Sequence, residues 1–132
     1  PAGAALFPLV QTVASDTIAG IAFDKYGTAW VAARGDNLTA DRTHFADGGL
    51  SRVDMTGSAA HWQVYHSANP PGNGLPTNNV SAVAVGGDGR VWVGTGSLRD
   101  SSGSGLAVLD PTRGSWTTYT ARDGLAPRAI GR

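Results

Sequence analysis

Ile18-Ala-Gly-Ile-Ala-Phe-Asp-Lys-Tyr-Gly-Thr-Ala-Trp-Val-Ala-Ala33 and Val80-Ser-Ala-Val-Ala-Val-Gly-Gly-Asp-Gly-Arg-Val-Trp-Val-Gly-Thr95 align without a gap. Gly27 falls on Gly89, Trp30 on Trp92 and Val31 on Val93. An internal repeat of this kind decides the architecture before any single element is assigned. The match resumes after a loop of different length. Gly49-Leu-Ser-Arg-Val-Asp54 lies over Gly105-Leu-Ala-Val-Leu-Asp110, and Trp62-Gln-Val-Tyr65 over Trp116-Thr-Thr-Tyr119. A third opening follows, since Gly74-Leu-Pro-Thr-Asn-Asn-Val80 is echoed by Gly124-Leu-Ala-Pro-Arg-Ala-Ile130. A weaker version, Thr12 to Ile18, precedes the first copy.

Each copy holds four short runs of β-branched, aromatic or small residues bounded by Gly, Asp, Asn and Pro. The first is Ile18–Phe23 or Val80–Val85, and the second is Ala29–Ala33 or Val91–Thr95. The third is Leu50–Asp54 or Leu106–Asp110, and the fourth is Trp62–His66 or Trp116–Thr120. Asp88-Gly89 and Tyr26-Gly27 fill the turn between the first two runs, where glycine supplies positive φ. Four short antiparallel strands per period of about 50 residues predict an all-β fold of β-propeller blades. The chain divides into a blade over 12–73, a second over 74–123 and the start of another over 124–132. Residues 1–11 read as the tail of a previous blade or a leader.

Composition agrees. All ten acidic residues are Asp, and nine of the ten basic ones are Arg, with Lys25 the exception. Asp favours turns because its short side chain bonds back to the local backbone. With 19 Gly and 7 Pro, the chain is turn-rich and poor in helix formers. Charges balance to zero and are scattered, which gives no footprint for nucleic acid. No apolar run approaches the roughly 20 residues that span a bilayer, so no direct membrane insertion is expected. There is no Cys, which excludes disulfides and thiolate metal sites.

A blade cannot cover both faces of its own sheet, so neighbouring blades must do so. The expected partners are therefore other blades, from the same longer chain or from identical subunits. A segment of a longer chain is the favoured arrangement, because Gly124-Leu125 opens a further repeat.

In a blade, the loop after the second strand and the loop entering the next blade share one face. Here these are Arg34–Gly48, Gly96–Ser104 and Ser67–Asn79. The tight turns at Lys25–Gly27 and Gly87–Gly89 belong to the opposite face. Long loops on a rigid scaffold are the default binding surface. The longest offers Arg34, Asp36, Asn37, Asp41, Arg42 and His44 as candidate ligand contacts. Asp36, Asn37, Asp41 and Asp47 are also oxygen donors of the kind Ca²⁺ takes, but their spacing is not that of a calcium loop. The plainer reading is a solvated insertion whose Asp and Asn residues make turns. Trp30 and Trp92 should pack between blades, while Trp62 and Trp116 should cover the blade edge. No nucleophile elbow, paired-carboxylate arrangement or phosphate-cradling loop is present, and no catalytic residue, metal or other cofactor is expected.

The second copy resembles the repeat of the two-component regulator propellers. The matching residues are Gly74-Leu75-Pro76, Asn78, Val80, Asp88-Gly89, Val91-Trp92-Val93-Gly94-Thr95, Gly105-Leu106, Asp110-Pro111 and Trp116 to Tyr119. The first copy departs from that pattern, with Ala32-Ala33 in place of Gly-Thr and no Gly-Leu-Pro opening. The resemblance implies a non-catalytic sensing or interaction module outside the bacterial cytoplasm, periplasmic or extracellular, with a carbohydrate or protein ligand. The first copy also looks like a blade of the streptogramin B lyases. That resemblance implies the alternative, an enzyme with Mg²⁺ and a His at the channel mouth, for which only His44 qualifies. A purely structural scaffold propeller is the third reading.

Overall fold

The computed structural model describes residues 13–35, 40, 47–66, 75–97 and 100–119. They form eight strands and no helix. The first sheet is β1 (Ile18–Phe23), β2 (Ala29–Ala33), β3 (Gly49–Asp54) and β4 (His61–Tyr65). The second is β5 (Val80–Val85), β6 (Val91–Ser97), β7 (Asp100–Asp110) and β8 (Ser115–Tyr119). Each is an antiparallel meander in sequence order, the arrangement of a propeller blade. The aligned copies fold alike in detail. Ile21 pairs with Val31 as Val83 pairs with Val93, and both first hairpins shift register at the same place, Ile18/Gly20 and Val80/Ala82.

One expected loop is corrected. Much of Gly96–Ser104 is strand, because β6 and β7 continue pairing past Thr95↔Gly105 to Ser97↔Asp100. Backbone pairing extends the hairpin here through polar residues, and Gly96, with its positive φ (96°), sits at the register shift between Thr95 and Ser97.

Strand register sorts each sheet into two faces, since residues directly opposite each other point the same way. Trp30 pairs with Ala22 and Arg52, Ala32 with Gly20 and Leu50, and Leu50 with Tyr65. That face turns to the second blade, where it meets the face carrying Val83, Val85, Val91, Val93, Ala107, Leu109 and Trp116. Trp30, Ala32 and Leu50 form one buried cluster with Leu75, Val80, Val91, Val93, Ala107 and Leu109. The strands nearest the axis, β1 and β5, lie side by side. At the outer edge the Tyr65 ring meets Trp116 edge-on at 5.7 Å and stacks on Trp30 at 6.2 Å. Burial there pushes the Tyr65 phenol above its ordinary value of 10.0, opposed by Arg52.

The two aligned tryptophans have different fates. Trp30 is fully buried, whereas Trp92 is 37% exposed among the described residues. The expectation that both pack between blades holds for Trp30. Trp92 lies on the side of the second blade that turns away from the first. Trp30→Ala should therefore cost about 3–5 kcal/mol, and Trp92→Ala well under half of that. Urea denaturation of the chain followed by circular dichroism compares them, and equal losses would contradict the seam described.

Candidate functional site

The two ends of the blade pair are built differently. At one end the chain leaves β2 into the long Arg34–Gly48 loop, and both feet of that loop are tied down. The Ser15 hydroxyl donates to the Arg34 carbonyl at 2.6 Å, and the Arg34 amide donates to the Thr17 carbonyl at 2.9 Å. The Gly35 amide donates to the Asn79 side-chain oxygen at 3.0 Å in a buried position. The Gly48 amide reaches the Ala14 carbonyl at 3.1 Å. Gly48 has φ +94°, and a Cβ there would come within 2.7 Å of the Gly35 nitrogen, so the two feet close on each other. Only glycine permits both the φ and the approach.

Asn79 joins this foot to the next blade. While its side chain holds Gly35, its carbonyl accepts from the Gly96 amide at 2.9 Å, where β6 turns. Its own amide donates to the Thr77 hydroxyl at 3.3 Å, as the Thr17 amide donates to Ser15 in the first copy. Ser15, Thr17, Thr77 and Asn79 are positioning residues that the sequence reading passed over. Their signal was present in the weak echo between Thr12–Ile18 and Gly74–Val80.

Of the expected ligand contacts, Arg34 sits at this anchored foot, half-buried. Asp36, Asn37, Asp41, Arg42 and His44 lie outside the described residues. Among the described residues no three His, Cys, Asp or Glu side chains converge on a metal position. His61 and His66 are exposed.

At the other end, the tight turns of the two blades enclose a cleft of about 640 Å³. Its walls include Tyr26, Trp30 and Arg52 of the first blade and Gly86–Gly89 and Asp110 of the second. The Arg52 guanidinium stacks over Trp30 at 5.7 Å. Four carboxylates surround it, each spent on its own turn. Asp24 accepts from the Tyr26 and Thr28 amides at 2.9 and 3.0 Å, and from the Trp30 indole at 3.4 Å. Asp88 accepts from the Arg90 amide at 3.1 Å, and Asp110 from the Thr112 and Arg113 amides at 3.1 and 3.3 Å. Asp54 accepts from the Thr56 hydroxyl and amide at 2.7 and 2.9 Å. The hydroxyl first and the amide second hold the Asp54 carboxyl below 3.8, and Arg52 and His61 pull the same way against desolvation. The use of Asp at these four positions thus has a local cause, since the shorter carboxylate closes these turns. The cleft is a seam with structural polar groups, and the anchored loops are at the far end.

Residues 74–97 match the family model described as two component regulator propeller. That stretch of the second blade is similar to a two component regulator propeller repeat. The matched segment opens at Gly74, passes through Asn79 and β5, and ends with β6, so it contains the Asn79 link and the Asp88-Gly89 turn. No curated protein and no solved structure matches the chain. The match, the eight-strand topology and the shared seam together make the chain a β-propeller module.

Asn79→Ala leaves the buried Gly35 amide without its acceptor and should cost about 1–3 kcal/mol. Hydrogen exchange should then speed up at both Gly35 and Gly96 and spare β3. Asp54, whose folded carboxyl sits below its unfolded value, adds stability that is present above that value and lost as pH falls through the folded one. An NMR titration should place its midpoint below 3.8, and Thr56→Val should raise that midpoint. An unmoved midpoint would remove the hydroxyl as the main cause.

Proposed function

We propose that this β-propeller module is a non-catalytic unit for ligand sensing or protein interaction, working outside the bacterial cytoplasm as a segment of a larger protein. The observation that carries the reading is the anchored long-loop end of the first blade, tied through Asn79 to the segment that matches the two component regulator propeller model. The Arg34 loop leaves β2 through feet fixed by Ser15, Thr17, Asn79 and Gly48. A loop held at its base by a rigid scaffold presents its side chains with little entropy to lose on binding. The side chains it carries, Asp36, Asn37, Asp41, Arg42 and His44 with Arg34 at the foot, suit a polyhydroxylated or polar ligand through paired donors and acceptors. A carbohydrate or a polar protein surface has that chemistry.

Isothermal titration with short neutral oligosaccharides, run on the whole chain, tests the reading. Binding without turnover is expected, and Asp36→Ala or His44→Ala should weaken it roughly tenfold, the loss of about one charge-assisted hydrogen bond. Both variants should keep the parent melting temperature. Affinity unchanged in both variants would remove this loop as the site. Cleaved or eliminated products in the mass spectrum would replace a sensing module with an enzyme.

A further inference from the structure

Arg52 breaks the repeat. The aligned residue of the second blade is Val108, whereas Arg52 stands opposite Trp30 and lines the cleft between the tight turns. Its guanidinium lies over the Trp30 ring at 5.7 Å. That contact uses the charge and none of the N–H donors. Among the described residues the ion pair is Arg90–Asp88 at 3.7 Å, and the Arg52 side chain has neither an ion pair nor a hydrogen bond. A half-buried guanidinium with its donors unspent suits a planar carboxylate, which it can hold through two parallel bonds.

Acceptors stand beside it. Asp24, Asp54, Asp88 and Asp110 each close a turn through Oδ1. Asp24 gives its Oδ2 to the Trp30 indole, and Asp88 its Oδ2 to Arg90. The Oδ2 atoms of Asp54 and Asp110 take no hydrogen bond among the described residues. Asp54 follows Arg52 by two residues on β3 and so shares its face, while Asp110 comes from the second blade. Their turns hold both carboxyls in place beforehand, so little side-chain freedom is left to lose on binding.

Simple ions fit this arrangement poorly. An anion drawn to Arg52 meets the Asp54 and Asp110 carboxylates, and a plain cation drawn to those carboxylates meets Arg52. A carboxylate and an ammonium on one carbon satisfy both. Small-molecule sites usually enclose roughly 300–1,000 Å³. The cleft, at about 640 Å³, has room for more than that head group. Its charged lining sets four carboxylates against Lys25 and Arg52, in a chain whose net charge is zero. The excess of acid favours a second positive charge on the remainder of the ligand.

We propose that the tight-turn cleft binds a free α-amino acid with a basic side chain. Arg52 donates to the α-carboxylate, Asp54 accepts from the α-ammonium, and Asp110 accepts from the side-chain cation. The site is separate from the Arg34 loop and stands whether or not that loop binds a ligand.

Isothermal titration of the whole chain with L-lysine tests this, beside two probes that each lack one charge of the head group. Cadaverine has no carboxylate, and Nα-acetyl-L-lysine has no α-ammonium. L-lysine should bind one per chain, and each of the other two roughly tenfold more weakly. Arg52→Met keeps an aliphatic stem over Trp30 and should abolish the preference for L-lysine over cadaverine. Asp54→Asn keeps the Oδ1 that closes its turn and should abolish the preference over Nα-acetyl-L-lysine. Both variants should keep the native circular dichroism. On the unaltered chain, L-lysine should shift the NMR signals of the Thr56 and Thr112 amides and the Trp30 indole, and leave Gly35 and Gly96 where they are. No binding at millimolar L-lysine would overturn the proposal. So would equal affinity for the three probes, preferences that the variants leave intact, or shifts confined to the loop end. None of these outcomes touches the reading of the Arg34 loop, which is judged by oligosaccharide titration of Asp36→Ala and His44→Ala.

Discussion

The structure depends on one requirement: a four-stranded sheet has two faces and can hide neither by itself. The seam between the blades meets that requirement once. Trp30, Ala32 and Leu50 on one side meet Val80, Val91, Val93 and Leu109 on the other, and together they make one core from two separate sheets. The arrangement also explains the composition of the strands. Small residues, Gly20, Ala22 and Ala32, flank Trp30 on the first blade and let the bulky valines of the second come close. An aromatic line, Trp30 to Tyr65 to Trp116, carries the same contact out to the outer strands.

Around that seam the polar groups divide by end. The tight-turn end is a set of self-contained units, in which each Asp satisfies the amides of its own turn. The long-loop end is a set of links between segments far apart in sequence, such as Ser15 to Arg34 and Gly35 to Asn79. Local bonds stiffen a hairpin without joining it to anything else. Distant bonds fix the bases of the loops relative to both blades.

Most of the fold was legible in the sequence, because the repeat supplies its own alignment. Ile18–Phe23, Ala29–Ala33 and Val80–Val85 are strands over the expected residues. The length of β7 was not legible. Asp100–Ser104 is polar and glycine-containing, and its strand character comes from backbone pairing with β6 rather than from any side-chain pattern. The different exposures of Trp30 and Trp92 among the described residues were also hidden, because identical slots in a repeat say nothing about what packs against each copy. Of the candidate site, the loop residues were named from length and polarity alone, and all of them but Arg34 lie outside the described residues. The roles of Asn79, Thr77, Ser15 and Thr17 required the bonds themselves, since each works through a partner that periodicity does not reveal.

The Arg52–Trp30 contact has no twin in the second blade, where Val108 stands in the matching place. A chain of near-identical units runs the risk, while folding, of joining the wrong neighbours, because every seam offers the same apolar fit. A guanidinium needs an aromatic face beneath it and water-accessible space above it, and the cleft between the first two blades supplies both. A blade presenting Val108 makes no such demand. The exchange of arginine for valine therefore sets the Trp30 face apart from the Trp92 face of the same repeat, a chemical address that shape alone does not provide.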